Sequence, residues 1–262
     1  MRVALLILPA ALSAGAAAAE PPVCTDRPAK ANAVCTVPAG RLQIETSVAG
    51  WSLARGGGNR TDLLTLGATY AKLGLSDGSD LQFGFTPFAR LRTGGGSGRG
   101  RSARSGFGDV VVRYKRRLTS EGAPVRLAAI PFVKVPTAGT GLGNGKAEGG
   151  LAVPISFALG GRASATLGPE LDLLADADGS GRHLALVNLI NLSMPFGARL
   201  TAAGELWTNL NFEPSGTARQ ASLDAALAYA VSPRLQLDAG ANFGLTRATS
   251  DLEFYAGISI RF

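Results

Sequence analysis

The sequence predicts an all-β fold: a transmembrane antiparallel up-and-down β-barrel of about twelve strands, with ten or fourteen as the alternatives. Polar and apolar residues alternate along segments of about eleven residues, as strands with one face toward lipid and one toward a lumen require. The 262-residue chain contains 35 glycines and only 17% charged residues, which suits many strands joined by flexible turns. After the first twenty residues, no stretch reaches the roughly 18 consecutive apolar residues that a membrane helix needs.

The N-terminus has the pattern of a secretory signal peptide. A single cation, Arg2, precedes an uncharged stretch that ends with Ala17 and Ala19 at the A-x-A positions of a cleavage site. We therefore expect cleavage after Ala19 and export to the outer membrane of a Gram-negative bacterium. The predicted domains are a signal peptide (1–19), a periplasmic N-terminal segment (20–40) and the barrel (41–262).

The cysteine and histidine content bounds the chemistry of the mature chain. Cys24 and Cys35 are the two cysteines, and in an exported chain we expect them to form a disulfide. Closing so short a loop removes about 2 to 3 kcal/mol of unfolded-state entropy, which would fix the segment ahead of the barrel. Because His183 is the only histidine, we predict no metal site and no cofactor.

The last predicted strand shows the alternation most clearly. Its two faces read Leu252, Phe254, Ala256, Ile258, Ile260 and Phe262 against Glu253, Tyr255, Gly257, Ser259 and Arg261. Reading back from it, we predict strands near residues 41–53, 62–73, 80–90, 106–117, 124–135, 146–159, 162–174, 183–193, 199–211, 218–231, 234–246 and 251–262. A soluble β-sandwich would also alternate, but its strands average about 5 to 6 residues, so the pattern favours a membrane barrel.

The lengths of the connections support the same topology. Bacterial barrels have short periplasmic turns and longer outer loops, and an even strand number places both termini in the periplasm. The predicted outer loops are 54–61, 91–105, 136–145, 175–182, 212–217 and 247–250. The predicted periplasmic turns are 74–79, 118–123, 160–161, 195–198 and 232–233.

Several blocks resemble one family of outer-membrane proteins. The blocks are Thr25-Asp26-Arg27-Pro28, the run from Thr36 to Glu45, Gly106-Phe107-Gly108-Asp109-Val110, Lys134-Val135-Pro136-Thr137, and Gln236-Leu237-Asp238-Ala239-Gly240. Together they are similar to the transporter-like barrels of the MetA-pathway of phenol degradation family, over nearly the whole mature chain. The resemblance implies uptake of aromatic or hydrophobic compounds, and it carries over no established binding residue. The final Phe262, with Ile258 and Ile260 at alternate preceding positions, is also similar to the recognition signal that the barrel-assembly machinery reads.

Charged residues on the polar faces of the strands are the candidate lumen residues. On the lipid face each would cost about 2 to 4 kcal/mol near the midplane, so we expect them to point inward. The candidates are Asp109, Arg113, Lys115, Glu148, Arg162, Glu170, Asp172, Glu205, Asp224, Asp238 and Glu253. They would line a conducting pore or, nearly as well, cross-link a plugged lumen through opposite charges.

The excess of basic residues, formally +7, does not predict a nucleic-acid partner. The densest group of basic residues lies in a Gly/Ser-rich connection and comprises Arg90, Arg92, Arg99, Arg101 and Arg104. An exported barrel meets outer-membrane lipids and the phosphates of lipopolysaccharide, which guanidinium groups bind bidentately. We expect Arg99, Arg101 and Arg104 to contact these anions. The alternative is a mobile loop whose charge only concentrates anions at the mouth.

Three further motifs have simpler explanations. The run 139–146 lacks the spacing of a phosphate-binding loop, and 176–181 lacks the remaining oxygen ligands of a calcium loop. His183 lies near Ser180, which raises the minor alternative of a lipid hydrolase with His183 as the base. The expected function is an outer-membrane channel or facilitator that passes small, hydrophobic or aromatic solutes down their gradient. The main alternative is a closed structural or surface-interaction barrel.

Overall fold

The computed structural model describes residues 20–95 and 100–262, so the predicted signal peptide and Arg99 lie outside the described residues. Sixteen β segments are present: β1 (Leu42–Gly56), β2 (Asn59–Ser76), β3 (Ser79–Phe85), β4 (Phe88–Gly95), β5 (Arg101–Gly106), β6 (Val110–Arg117), β7 (Val125–Val135), β8 (Glu148–Ala152), β9 (Ile155–Gly160), β10 (Ala163–Leu167), β11 (Glu170–Ala175), β12 (Arg182–Phe196), β13 (Leu200–Asn211), β14 (Ala218–Ser232), β15 (Leu235–Gly244) and β16 (Leu252–Arg261). In the part of the chain that is described, no helix is long and apolar enough to cross a membrane.

The sixteen segments form a closed antiparallel barrel of twelve strands, which confirms the predicted fold class and strand number. β1 pairs with both β2 and β16, so the sheet closes on itself. Four barrel strands are each split in two, as β3/β4, β5/β6, β8/β9 and β10/β11. Three of the breaks contain Pro87, Pro154 or Pro169, and proline has no N–H to give to the ladder of hydrogen bonds.

Alternation places apolar side chains on the outside of the barrel. On β16, Phe254 is 48% exposed, whereas Ser259 is fully buried on the opposite face. Leu192 on β12, and Leu223 and Leu227 on β14, are likewise more than half exposed. A soluble protein rarely leaves so many large apolar side chains in water, and a lipid environment satisfies them.

Two predicted outer loops are largely strand. In place of the loop 54–61, β1 and β2 continue to a tight hairpin at Gly57 and Gly58, which both have positive φ, as such a turn requires. The expected flexible loop 91–105 is shorter for a similar reason, because β4 and β5 pair from Ala89 with Gly106 to Gly94 with Arg101. The glycines that suggested a loop are compatible with a hairpin, and the arginines alternate along its strands.

The remaining connections divide into two sets, one at each end of the barrel. The long-loop end contains the 57–58 hairpin, the end of β4, the start of β5 and the connections 136–147, 176–181, 212–217 and 245–251. The short-turn end contains the connections 77–78, 118–124, 161–162, 197–199 and 233–234, together with the start of β1 and the end of β16. Bacterial barrels usually have long loops outside and short turns in the periplasm, and we expect the same orientation here.

The N-terminal segment, residues 20–41, lies inside the barrel rather than ahead of it in the periplasm. A disulfide joins Cys24 and Cys35, as expected. Between them, the segment contacts inward-facing side chains of β2, β6, β13, β14 and β15. The expectation of a periplasmic segment was wrong because it ignored the charges at residues 26, 27 and 30, which complement charges on the inner wall.

Candidate functional site

A charge cluster around Asp26 holds the N-terminal segment to one side of the lumen. The two carboxylate oxygens of Asp26 accept hydrogen bonds from Lys72 Nζ at 2.6 Å and Lys115 Nζ at 2.7 Å. Lys72 Nζ also lies 2.6 Å from Glu45 Oε1, and both lysine side chains are only 1% exposed. Arg113 adds a third cation, 3.6 Å from Asp26. Buried lysines are costly without an anion, so Asp26 completes this part of the wall.

The pKa of Asp26 follows from this arrangement. Burial by itself would raise the pKa of the carboxyl group, but the positive charges of Lys115, Lys72 and Arg113 outweigh that effect. The pKa of Asp26 is therefore held below its ordinary value, and the group is ionised at neutral pH.

Arg27 and Lys30 attach the segment to the opposite wall. The guanidinium of Arg27 donates to both carboxylate oxygens of Asp238, with its shortest bond at 2.6 Å. Lys30 Nζ donates at 2.8 Å to both Asp224 and Ser222. The backbone N–H groups of residues 30 and 31 donate to the carboxylate of Glu205 at 3.1 and 2.9 Å. The segment therefore crosses the lumen and contacts strands on both sides.

Each of three cations also lies over an aromatic ring. Arg27 is 5.9 Å from the ring centre of Tyr255, Lys30 is 4.8 Å from that of Trp207, and Arg113 is 4.9 Å from that of Tyr70. A cation within about 6 Å of a ring centre is attracted to its face. The lumen thus combines charge and aromatic surface where the segment passes.

Glycines in the wall leave room for the segment. A Cβ at Gly257 would collide with the guanidinium of Arg27, and one at Gly74 would collide with the backbone of Pro38. Close approach of a strand to another chain segment is a recognised reason for glycine inside a strand. Both positions indicate that the wall is shaped around the docked segment.

A cavity lies against the segment in the lumen. It has a volume of about 430 Å³ and is lined by Lys30, Asn32, Ala152, Pro154, Gly168, Glu170, Asp172, Val187, Leu189, Trp207 and Asn209. Its lining combines apolar side chains, among them the ring of Trp207, with polar and charged ones. Asp172 Oδ1 and Asn209 Oδ1 are buried acceptors without a hydrogen-bond partner among the described residues. A cavity that combines an aromatic ring with convergent polar groups is a candidate small-molecule site.

The structure places ten of the eleven predicted lumen residues on the inward-facing register. Arg113 and Lys115 contact Asp26, whereas Glu205 and Asp224 contact residue 30, and Asp238 contacts Arg27. The other five contact wall residues or line a cavity. Asp109 and Glu148 form salt bridges with Lys134, and Glu253 accepts a hydrogen bond from Asn242. Glu170 and Asp172 line the 430 Å³ cavity.

Arg162 is the exception, because it lies exposed in the turn between β9 and β10 rather than in the lumen. The predicted strand began one residue too early, and the turn takes up Gly161 and Arg162. A cation in such a turn stays in water at no desolvation cost.

Sequence reasoning missed most of the partners on the segment and at the short-turn end. These include Asp26, Arg27, Lys30, Glu45, Lys72, Asp80 and Arg261. Three of these residues lie on the polar face of a predicted strand, and that position could have identified them as lumen residues: Lys72, Asp80 and Arg261. The charges of Asp26, Arg27 and Lys30 were a second signal, because a segment rich in charge needs partners.

The arginines of the β4–β5 hairpin point in different directions. Arg101 pairs with Gly94 on the outward register, and Arg104 pairs with Leu91 on the inward register. The guanidinium of Arg104 packs beside Gly141 of the 136–147 loop. Arg60, Arg90 and Arg92 lie on the same outward register as Arg101.

The predicted assembly residues lie on the outer face of the last strand. Ile258 and Ile260 alternate with the buried Ser259 and Arg261. Phe262 is 56% exposed, and its backbone N–H donates to the carbonyl oxygen of Leu42 at 2.8 Å. The C-terminal residue therefore helps to close the barrel against β1.

His183 does not contact the serine that sequence proximity suggested. Its Nδ1 lies 2.7 Å from Asp176 Oδ1, whereas the hydroxyl of Ser180 donates to Asp178 at 2.7 Å. The arrangement has no histidine-to-serine hydrogen bond, which nucleophilic catalysis by Ser180 would require.

A closed twelve-strand barrel with an apolar exterior and a charged lumen defines an outer-membrane β-barrel protein. Residues 25–262 match the family described as "Putative MetA-pathway of phenol degradation", and the chain belongs to this family. The resemblance drawn from the sequence motifs is thereby confirmed.

Solved structures support the same fold. The COG4313 outer-membrane channel from Pseudomonas putida F1 superposes with a TM-score of 0.69 at 14% identity, covering 87% of this chain and 98% of the channel. The translocator domain of the autotransporter NalP from Neisseria meningitidis gives 0.55 at 14% identity, covering 86% and 90%. The NanC porin gives 0.52 at 10% identity, covering 84% and 98%. At these identities the likeness concerns the barrel alone. No curated protein matches the sequence.

Proposed function

We propose that this protein is an outer-membrane channel for small aromatic solutes, in which the N-terminal segment narrows the lumen. The observation that carries the proposal is the 430 Å³ cavity beside the segment, where Trp207 and Leu189 supply apolar surface and Glu170 and Asp172 supply carboxylate groups as acceptors. A small aromatic molecule with a hydroxyl group would pack on the former and donate a hydrogen bond to the latter. Membership of a family described by phenol degradation supports the same solute class.

Solute flux into proteoliposomes tests this proposal. The refolded mature chain should pass phenol faster than cyclohexanol, which carries the same hydroxyl without an aromatic ring. The variant Trp207→Ala should reduce this preference, and Trp51→Phe, which changes the other tryptophan on the outer face of the barrel, should not. Phenol flux no greater than that of protein-free liposomes would overturn the proposal.

Fluorescence adds a binding readout to the flux experiment. In the Trp51→Phe variant, Trp207 is the only tryptophan left, so its emission reports on the cavity alone. Phenol that occupies the cavity should change this emission in a saturable way. An emission that stays constant would place any phenol flux elsewhere in the lumen.

A closed structural barrel is the second candidate, and the ion pairs of the segment favour it. They fix the segment across the lumen through Asp26, Arg27 and Lys30. Planar-bilayer recording separates the two functions, because a structural barrel gives no conductance while the channel gives small steps. The channels and porins among similar folds do not themselves exclude catalysis, and a lipid-hydrolysis assay with His183→Ala as control tests that alternative.

The outward arginines of the β4–β5 hairpin are proposed as the contact with lipopolysaccharide. Arg60, Arg90, Arg92 and Arg101 share one face beside a cavity of about 860 Å³, and Asp62 forms a salt bridge with Arg60 at 2.8 Å. Replacing Arg90, Arg92 and Arg101 with serine should lower co-purified lipopolysaccharide in a salt-dependent way. Arg104→Ser is the matched control because Arg104 faces inward. Equal retention of lipopolysaccharide by all variants would contradict the contact. Arg99→Ser is to be tested together with the serine variants of Arg90, Arg92 and Arg101.

Export and assembly are proposed to follow the signals found in the sequence. N-terminal sequencing of the mature protein should begin at Glu20, if cleavage follows Ala19. Deletion of Phe262 should remove the exposed terminal ring that we expect the barrel-assembly machinery to recognise, and leave chains in the periplasm. Normal levels of heat-modifiable barrel in the outer membrane of the deletion strain would contradict that role.

A further inference from the structure

Three side chains from two neighbouring loops meet at the long-loop end, outside the lumen network described above. His183 Nδ1 lies 2.7 Å from Asp176 Oδ1 and 3.4 Å from Glu213 Oε2. The ligand-capable atoms of all three residues lie within 4.8 Å of one another. His183 is the second residue of β12, Asp176 follows β11, and Glu213 lies just after β13, so the cluster joins the 176–181 and 212–217 connections.

The backbone holds both loops in place. In the first loop, Asp176 N–H donates to the Gly181 carbonyl at 3.1 Å, and Gly179 N–H donates to the Asp176 carbonyl at 2.8 Å. In the second, Gly216 N–H donates to the Glu213 carbonyl at 2.9 Å. The N–H of Ala177 also donates to the Glu213 carboxylate, at 3.2 Å from one oxygen and 3.3 Å from the other. The three side chains are therefore presented by ordered turns.

The cluster is short of positive charge. Among the described residues, no lysine or arginine forms a salt bridge with Asp176 or Glu213. The two cations nearby in the fold contact carbonyl oxygens, Lys146 that of Gly179 and Arg182 that of Ala147. A protonated Nδ1 can give its single hydrogen to one carboxylate and leaves the other without a counter-charge.

The imidazole itself provides a second observation. The side chain of His183 is 95% buried, and its Nε2 is buried without a hydrogen-bond partner. The polar contacts of the ring are confined to the side that faces the two carboxylates.

We propose that His183, Asp176 and Glu213 bind one divalent transition-metal ion at the long-loop end of the barrel. One imidazole nitrogen with two carboxylate oxygens is a donor set that suits Zn²⁺, at ligand distances of about 2.0 to 2.2 Å, better than Ca²⁺, which prefers six or more oxygens. The ion would neutralise both carboxylates together and tie the two loops. Sequence spacing did not indicate this site, because Glu213 comes from a different hairpin.

Isothermal titration of the refolded mature chain with Zn²⁺ tests the site. The protein must carry no polyhistidine tag, since His183 is its only histidine. The wild type should bind about one equivalent, and His183→Gln and Glu213→Gln should each weaken binding at least tenfold. Asp178→Asn is the matched control, because Asp178 lies in the same loop but bonds to Ser180. Heat-modifiable migration in gels checks that every variant is folded.

A second measurement separates a bound ion from a hydrogen-bonded cluster. Zn²⁺ should raise the unfolding temperature of the wild type and of Asp178→Asn but not of His183→Gln, and Ca²⁺ should raise none of them. Co²⁺ should give a visible absorption band that is lost in His183→Gln. Equal Zn²⁺ affinity in wild type and His183→Gln, or no binding to the wild type, would show a hydrogen-bonded cluster only and overturn the proposal.

Discussion

The two halves of the lumen are lined by the same strands, yet their charges are satisfied in different ways. Near the short turns, Lys72, Lys115 and Asp80 are about 1% exposed and contact the N-terminal segment. Near the long loops, Lys134 pairs with Glu148 across adjacent strands of the wall. One half therefore depends on a separate piece of chain for its charge balance, and the other is balanced by the wall itself.

This difference shows what the segment contributes. Buried ion pairs are weak evidence for stability, because desolvation offsets much of their attraction, but they specify one arrangement strongly. The bonds of Asp26, Arg27 and Lys30 to opposite walls fix both the height and the direction of the segment. The segment therefore narrows the lumen where it crosses, and cavities remain on the side of the long loops.

Deleting the N-terminal segment should change the lumen more than any other variant. A chain that lacks residues 21–38 should form a barrel whose conductance in planar bilayers is several times that of the full mature chain, because the lumen loses its crossing segment. Heat-modifiable migration shows whether the shortened barrel folds. A folded barrel with unchanged conductance would mean that the segment does not set the width of the lumen.

Reduction of the disulfide gives an independent test that leaves the sequence of the segment nearly intact. Cys24→Ser with Cys35→Ser should free the loop between them while keeping Asp26, Arg27 and Lys30. We expect larger current fluctuations but a smaller rise in mean conductance than with the deletion. Dithiothreitol should have the same effect on the wild type and none on the double variant.

A single methyl-bearing side chain on the wall should displace the segment locally. Gly257→Val places atoms where the guanidinium of Arg27 lies, and should break its bonds to Asp238. Because the new side chain also meets the carbonyl oxygen of Thr46 on β1, heat-modifiable migration must first show that the variant barrel is folded. We expect trypsin to cleave after Lys30 about tenfold faster than in the wild type. Gly204→Val is the control for a valine that cannot reach the segment, since Gly204 lies exposed on the outer face of β13 and nothing lies within 4 Å of a Cβ there. Equal cleavage rates in the two variants would show that Arg27 does not hold the segment.

The strands that line the lumen could be predicted from the sequence, whereas the docking of the N-terminal segment could not. The twelve strands and their inward faces were predictable, because alternation is a local property and each barrel strand repeats it. Four strand breaks were not anticipated, although Pro87, Pro154 and Pro169 were visible signals. The docking of the segment joins residues about 200 positions apart in the sequence, such as Arg27 and Asp238. The alternation of polar and apolar residues along one strand does not indicate such a contact. The cluster of Asp176, His183 and Glu213 escaped for the same reason.

Removing one anion should weaken the docking without a steric change. Asp26→Asn leaves Lys72, Lys115 and Arg113 without their shared carboxylate, a loss that costs about 3 to 5 kcal/mol for a buried pair. We expect a lower midpoint of urea unfolding and faster cleavage after Lys30. Glu121→Gln removes an exposed partner of Arg117 and should cost less than about 1 kcal/mol. Similar losses in the two variants would argue against a special role of the Asp26 cluster.

The smallest effect should come from protonating Asp26 in the wild type. Its pKa is lowered in the folded barrel, so its contribution to docking is complete above the ordinary aspartate value of about 4 and is lost as the pH falls below that value. Cleavage by pepsin within residues 26–33 should therefore accelerate between pH 4 and pH 2 in the wild type, beyond the change seen with an unstructured peptide of the same sequence. Asp26→Asn removes the group that titrates, so its cleavage should be fast already at pH 4 and should lack this additional acceleration. If the variant keeps the same acceleration as the wild type, other carboxylates in the lumen control the release of the segment, and the charge balance of the short-turn half does not depend on Asp26.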